Sequence, residues 1–105
     1  MKLNIIIDDY SMDLNVPEET LQQEIEAYQR LDRSMDAGVQ MGRDWVAQPD
    51  RLQRCQVAAD KLLTALETDN HPLALLSAGY IISRMPGVQR VRIDTGGEPS
   101  ETRFE

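Results

Sequence analysis

Three aspartates near the start of the chain, Asp8, Asp9 and Asp13, lie close together in sequence. Carboxylate oxygens hold hard cations such as calcium, so this spacing could contribute to a metal site. It matches no calcium loop, however, and no glycine stands where such a loop turns sharply. Solvated turn carboxylates are the simpler reading, and no metal is expected. Cys55 and His71 are the only cysteine and the only histidine. A thiolate beside an imidazole would make a nucleophile. Here Cys55 falls in the apolar stripe of one helix and His71 opens the next. About four helical turns, or roughly 20 Å, separate them. Cys55 is therefore expected to be a buried core residue with a raised pKa. One cysteine and one histidine also cannot complete a structural zinc site, which takes four ligands drawn mostly from those types.

Asp94-Thr95-Gly96 resembles the catalytic triplet of aspartic proteases, over three residues only. That resemblance implies two such aspartates sharing a proton, which a homodimer could supply. Gly97 stands where that family has alanine or serine, and the helical character of the chain departs from its all-β fold. The structural reading is a strand ending in a glycine turn. Gly96-Gly97 lacks the Lys-Ser/Thr and the following helix that cradle a phosphate. The expectation is a protein with no catalytic residue and no cofactor.

Contact with other proteins is then the leading function. Leu31, Met35, Trp45 and Tyr80 are the expected interface anchors, because methionine and aromatic side chains mark adaptable interfaces. The formal net charge is −7, and its distribution is uneven. Residues 1–26 carry Asp8, Asp9, Asp13, Glu18, Glu19, Glu24 and Glu26 against Lys2 alone, a net of −6. The remainder carries a net of −1. Asp8, Asp9, Asp13, Glu18 and Glu19 define an acidic surface. It repels phosphate backbones and anionic membranes, so neither nucleic acid nor membrane is an expected partner. It suits a basic protein partner, or serves solubility alone. A single cysteine fits a reducing compartment, and the short apolar run at Leu3–Ile7 is no secretion signal. A cytoplasmic location is expected. Two alternatives stand beside the contact reading. One is a small-ligand or metal-handling protein, with a pocket between sheet and helices served by Tyr10, Tyr28, Arg92 or the first-turn aspartates. The other is mimicry of nucleic acid by the acidic end.

Elements follow from periodicity. Leu3, Ile5 and Ile7 alternate with polar residues, and Tyr10, Met12, Leu14 and Val16 continue the period. Folding at Asp8-Asp9 would pair Ile7 with Tyr10, Ile5 with Met12 and Leu3 with Leu14. One long strand with a bulge is the competing reading. Pro17 with Glu18 and Glu19 opens a helix whose stripe is Leu21, Ile25, Tyr28, Leu31 and Met35. It either runs from 17 to 47 or breaks near Gly38. The full length would be about 45 Å, too long for a compact domain of this size, and hints at a homodimer built on helices. Residues 50–67 form an amphipathic helix with Cys55 inward and Arg51, Arg54, Asp60 and Lys61 outward. Residues 73–85 form a helix apolar on most sides, hence central. Residues 88–95 form a strand, and residues 100–105 add a possible edge strand carrying Phe104. The order β-β-α-α-α-β predicts one α+β domain: a small antiparallel sheet from both chain ends, packed on three helices. If the end strands pair, Arg90 and Arg92 could face Asp13.

Overall fold

The computed structural model describes residues 1–105. Strands β1 (Lys2–Ile7) and β2 (Tyr10–Asn15) form an antiparallel hairpin, with Leu3 opposite Leu14, Ile5 opposite Met12 and Ile7 opposite Tyr10. The period-two pattern requires this register. Asp8 takes φ +53°, a left-handed conformation that aspartate tolerates better than most residues, so Asp8-Asp9 can close the turn. At the open end, the Val16 N–H donates to the Met1 carbonyl at 2.8 Å and the Met1 nitrogen donates to the Val16 carbonyl at 2.7 Å. Hydrogen-bonded pairs alternate along an antiparallel ladder. Leu14, Met12 and Tyr10 therefore bond to β1, while Ser11, Asp13 and Asn15 turn their backbone groups the other way.

No helix spans 17–47. Helix α1 (Glu18–Gln23) gives way at Glu24 to α2 (Ile25–Met35), which ends where the Gly38 N–H bonds the Met35 carbonyl at 3.0 Å. Gly38 has φ +118°, a conformation that L side chains rarely adopt. The next residues form a second hairpin, β3 (Val39–Met41) with β4 (Asp44–Val46). Val39 and Met41 are buried around an exposed Gln40, a period of two rather than 3.6. The long helix, and the length that hinted at a helical dimer, are thus replaced by two short helices and a hairpin. Helices number four rather than three.

Helix α3 (Arg51–Glu67) starts with a capping box. Asp50 accepts from the Gln53 N–H, and the Gln53 side chain accepts from the Asp50 N–H. Asn70 caps α4 (His71–Arg84) by accepting from the Leu73 N–H. Helix α4 is buried from Ser77 to Ile82, as its all-round apolarity predicts. Ala58, Ala59, Ala65, Ala74 and Ala78 are all buried. Their small side chains let α3 and α4 approach closely. Strand β5 (Arg90–Ile93) and a short β6 (Arg103–Phe104) complete the chain, with a 3-10 turn at Pro99–Glu101 between them.

The molecule is α+β, with a mixed sheet from both chain ends packed against helices. The strand order is β2-β1-β5-β6. The expected purely antiparallel sheet needs one correction: β5 runs parallel to β1, while β2 and β6 are antiparallel to their neighbours. A chain that leaves one strand and returns through helices can enter the sheet in the same sense, which a tight turn cannot do. One sheet face buries Leu3, Ile5, Leu14, Val91 and Ile93 in a common core with Leu62 and Ile81. The opposite face carries Asn4, Asp13, Arg90 and Arg92. There the Asn4 Nδ2 donates to Asp13 Oδ1 and Arg90 Nε donates to Asn4 Oδ1, each at 2.9 Å. Asp13 and Arg90 therefore share a face but meet through Asn4. Arg92 pairs with Glu105 instead. No helix is long and apolar enough to cross a membrane.

Candidate functional site

The tip of the β1–β2 hairpin and the C-terminal end of α3 border one groove. Ile7, Tyr10 and Met12 face Leu63 and Leu66 there, across a groove of about 610 Å³. The hydrophobic alternation that builds the core thus continues into this groove. Tyr10 is left 62% exposed. The polar lining is Asp8, Glu67, Asp69 and Thr95, so no cation borders the groove. Thr95 Oγ1 donates to Asp8 Oδ1 at 3.0 Å and fixes that carboxylate. Asp69 takes φ +55° in the turn that ends α3. The negative end of the α3 dipole adds to the same potential.

Of the five expected acidic residues, the structure brings only Asp8 into this groove. Asp9 is exposed in the turn, Asp13 lies on the outer sheet face, and Glu18 and Glu19 occupy the first turn of α1. Glu67 and Asp69 were not singled out from sequence. Their role depends on where α3 ends relative to a hairpin far away in the chain. No group of three or more His, Cys, Asp or Glu side chains is placed to hold a metal ion.

A second polar group lies where α2, α3 and α4 converge. Asp32 Oδ1 accepts from the Tyr80 hydroxyl at 2.5 Å, and Oδ2 accepts from Arg84 at 2.8–2.9 Å. Arg54 reaches Asp32 Oδ1 at 3.3 Å, Asp36 Oδ1 at 2.9 Å and the Pro49 carbonyl at 3.1 Å. Arg54 was expected to point outward, but its guanidinium instead folds onto the C-terminal half of α2. The Arg84 guanidinium also lies 5.2 Å from the centre of the Tyr80 ring. Burial alone would raise the Asp32 pKa. The hydrogen bonds from Tyr80, Arg84 and Arg54 outweigh it and hold the carboxyl below its ordinary value. Each donor here has an acceptor, so the cluster ties three helices together. Cys55 is fully buried, and desolvation raises its thiol to about 11. The thiol is therefore protonated and unreactive at neutral pH.

Two of the four expected anchors are core residues: Tyr80 is 1% exposed and Met35 4%. Tyr80 also makes an edge-to-face contact with Tyr28, with centroids 6.4 Å apart. Leu31 is half-buried against the core, and only Trp45, 61% exposed, is open to a partner. Trp45 lies over Gly38, where an added Cβ would come within 2.5 Å of the indole. A further hollow of about 420 Å³ between α2 and α4 is lined by both Glu24 and Arg30, so it has no preferred sign of charge. Comparison with protein families, characterised proteins and solved structures finds no match.

Proposed function

We propose that the chain is a small non-enzymatic accessory or regulatory protein that acts by binding another protein. The observation that carries this reading is the groove at the hairpin tip. It is an apolar surface with an exposed tyrosine, and the only charged groups bordering it are carboxylates. The groups with the greatest chemical potential are otherwise engaged. Asp32 is held by three donors, the Cys55 thiol is buried, and Asp94 accepts from the Gly96 and Glu98 N–H groups. A reducing, cytoplasmic setting suits a lone unpaired cysteine. A homodimer stays part of the proposal, and Trp45 and Leu52, both exposed, now motivate it in place of a long helix.

Mild purification from native cells, with mass and bound-species analysis, tests the reading. A co-purifying protein or a stable dimer supports it. A stoichiometric small molecule or metal overturns it in favour of a ligand-handling protein, for which the same groove would be the pocket.

A further inference from the structure

The groove has a neighbour that names the form of its occupant. Strand β2 is an outer strand of the sheet, bonded to β1 on one side only. Ser11, Asp13 and Asn15 direct their backbone N–H and C=O groups to the free side, as the alternation from the Met1–Val16 pair requires. Six residues of open edge can receive an added strand. Side chains of such a strand that lie beside Tyr10 and Met12 would enter the groove, because successive residues alternate between the two faces.

Charge decides what can pair there. Asp8, Asp9 and Asp13 line this hairpin. A second copy adding β2 to β2 would bring two such sets together, and like charges across a strand pair are unfavourable. A basic segment meets the opposite situation. An arginine or lysine side chain fits the groove by parts. Its aliphatic stem would lie along the apolar lining of Met12, Leu63 and Leu66, and its cation would reach the acidic rim to which Asp8, Glu67 and Asp69 contribute. The open ring of Tyr10 can take it by cation–π contact.

We infer that β2 and the adjacent groove receive an extended basic segment of a partner protein, which joins the sheet as an outer strand and seats one arginine or lysine side chain among Asp8, Glu67 and Asp69. This deepens the protein-binding reading and rests on it.

The test uses the full chain, isotopically labelled, titrated with short peptides alternating threonine with arginine, lysine or glutamate. The arginine and lysine peptides are expected to shift the amide signals of Tyr10–Asn15, Glu67 and Asp69. They should also slow hydrogen exchange at Ser11, Asp13 and Asn15. Raising the salt should weaken binding. Asp8→Asn and Asp69→Asn keep the left-handed backbone at both positions, since asparagine tolerates it as well as aspartate. With Glu67→Gln, the triple variant should bind about 3- to 100-fold more weakly, each exposed pair contributing a factor of about 1.5–5. Tyr10→Ala, at an exposed position, should weaken binding with the fold intact.

Equal binding of the glutamate peptide overturns the inference. So does butylguanidinium matching the arginine peptide without protecting β2, which would make the groove a small-cation pocket. Shifts centred on Trp45 overturn the groove while leaving the protein-binding reading standing. Protection of the β2 amides in a dimer without peptide assigns the edge to a second copy and likewise overturns it. Failure of both basic peptides to bind at millimolar concentration overturns the inference alone, because co-purification decides the broader reading.

Discussion

The Tyr28 hydroxyl lies directly against Gly79. A Cβ built on Gly79 would meet that oxygen at 2.1 Å and the ring carbon bearing it at 2.9 Å. The glycine in the middle of α4 is thus the space into which a tyrosine of α2 inserts. The hydroxyl itself is buried without a hydrogen-bond partner, and burial raises its pKa.

Gly79→Ala should therefore destabilise the fold by about 1–3 kcal/mol, the usual range for overpacking a core. It should do so although alanine is favoured over glycine in a helix by about 1 kcal/mol. Tyr28→Phe should stabilise by about 1 kcal/mol, by removing an unsatisfied buried hydroxyl. In that background Gly79→Ala should cost less. Denaturant unfolding of the four proteins of this cycle checks the coupling.

Asp32→Ala removes the acceptor shared by Tyr80, Arg84 and Arg54. It should cost about 2–3 kcal/mol, the scale of hydrogen bonds to charged groups, as read from the denaturant midpoint. The pH dependence has a definite sign. The folded pKa lies below the unfolded one, so the unfolded chain binds the proton more readily. The contribution is complete above the ordinary carboxylate value near 3.9 and is lost as pH falls through the folded pKa. Urea midpoints of the wild type and Asp32→Ala should accordingly converge in strong acid.

Cys55 should resist thiol reagents in the native protein at neutral pH and react at once in denaturant. Its folded pKa, about 11, is raised by desolvation above the free-thiol value near 9. Here the folded state holds the proton more tightly. The contribution is complete below about pH 9 and is lost as pH rises toward 11. Rapid native-state labelling at neutral pH would contradict the buried position.

Gln56→Ala should loosen the end of the chain. The buried Gln56 amide donates to the Ser100 carbonyl at 3.2 Å and the Thr102 carbonyl at 3.1 Å, clamping the turn before β6 onto α3. Loss of about 1 kcal/mol per bond is expected, as an upper limit where water can replace the donor. Hydrogen exchange should accelerate at Thr102 and Glu105, whose N–H groups bond Pro99 and Arg90, before it does in β1.

Local patterns made part of this structure readable. The hairpin register follows from the alternation of Leu3, Ile5, Ile7, Tyr10, Met12 and Leu14, because a slip of one residue would turn every apolar side chain outward. The amphipathic α3 and the all-round apolar α4 are equally local. The break near Gly38, one of the two readings open from sequence, is real, but the β3–β4 hairpin beyond it was not legible, since four apolar residues in eight positions suit a fading helical stripe as well as two short strands. Gly38 and Gly42 held the better clue: both have positive φ. Strand direction was not legible, because the parallel entry of β5 depends on the path of the helices. The Asp32–Arg54–Arg84 cluster and the groove were invisible for a related reason. Each joins residues distant in the chain, and a salt bridge across such distances leaves no periodic trace.

The parallel pairing of β1 with β5 also orders events during synthesis. The hairpin needs no residue beyond Val16, but the strand that completes its other side comes only after both long helices. Through that interval the nascent hairpin has two unprotected borders. Like charge at Asp8, Asp9 and Asp13 disfavours pairing of one such hairpin with another, a safeguard that the finished molecule needs on one border alone.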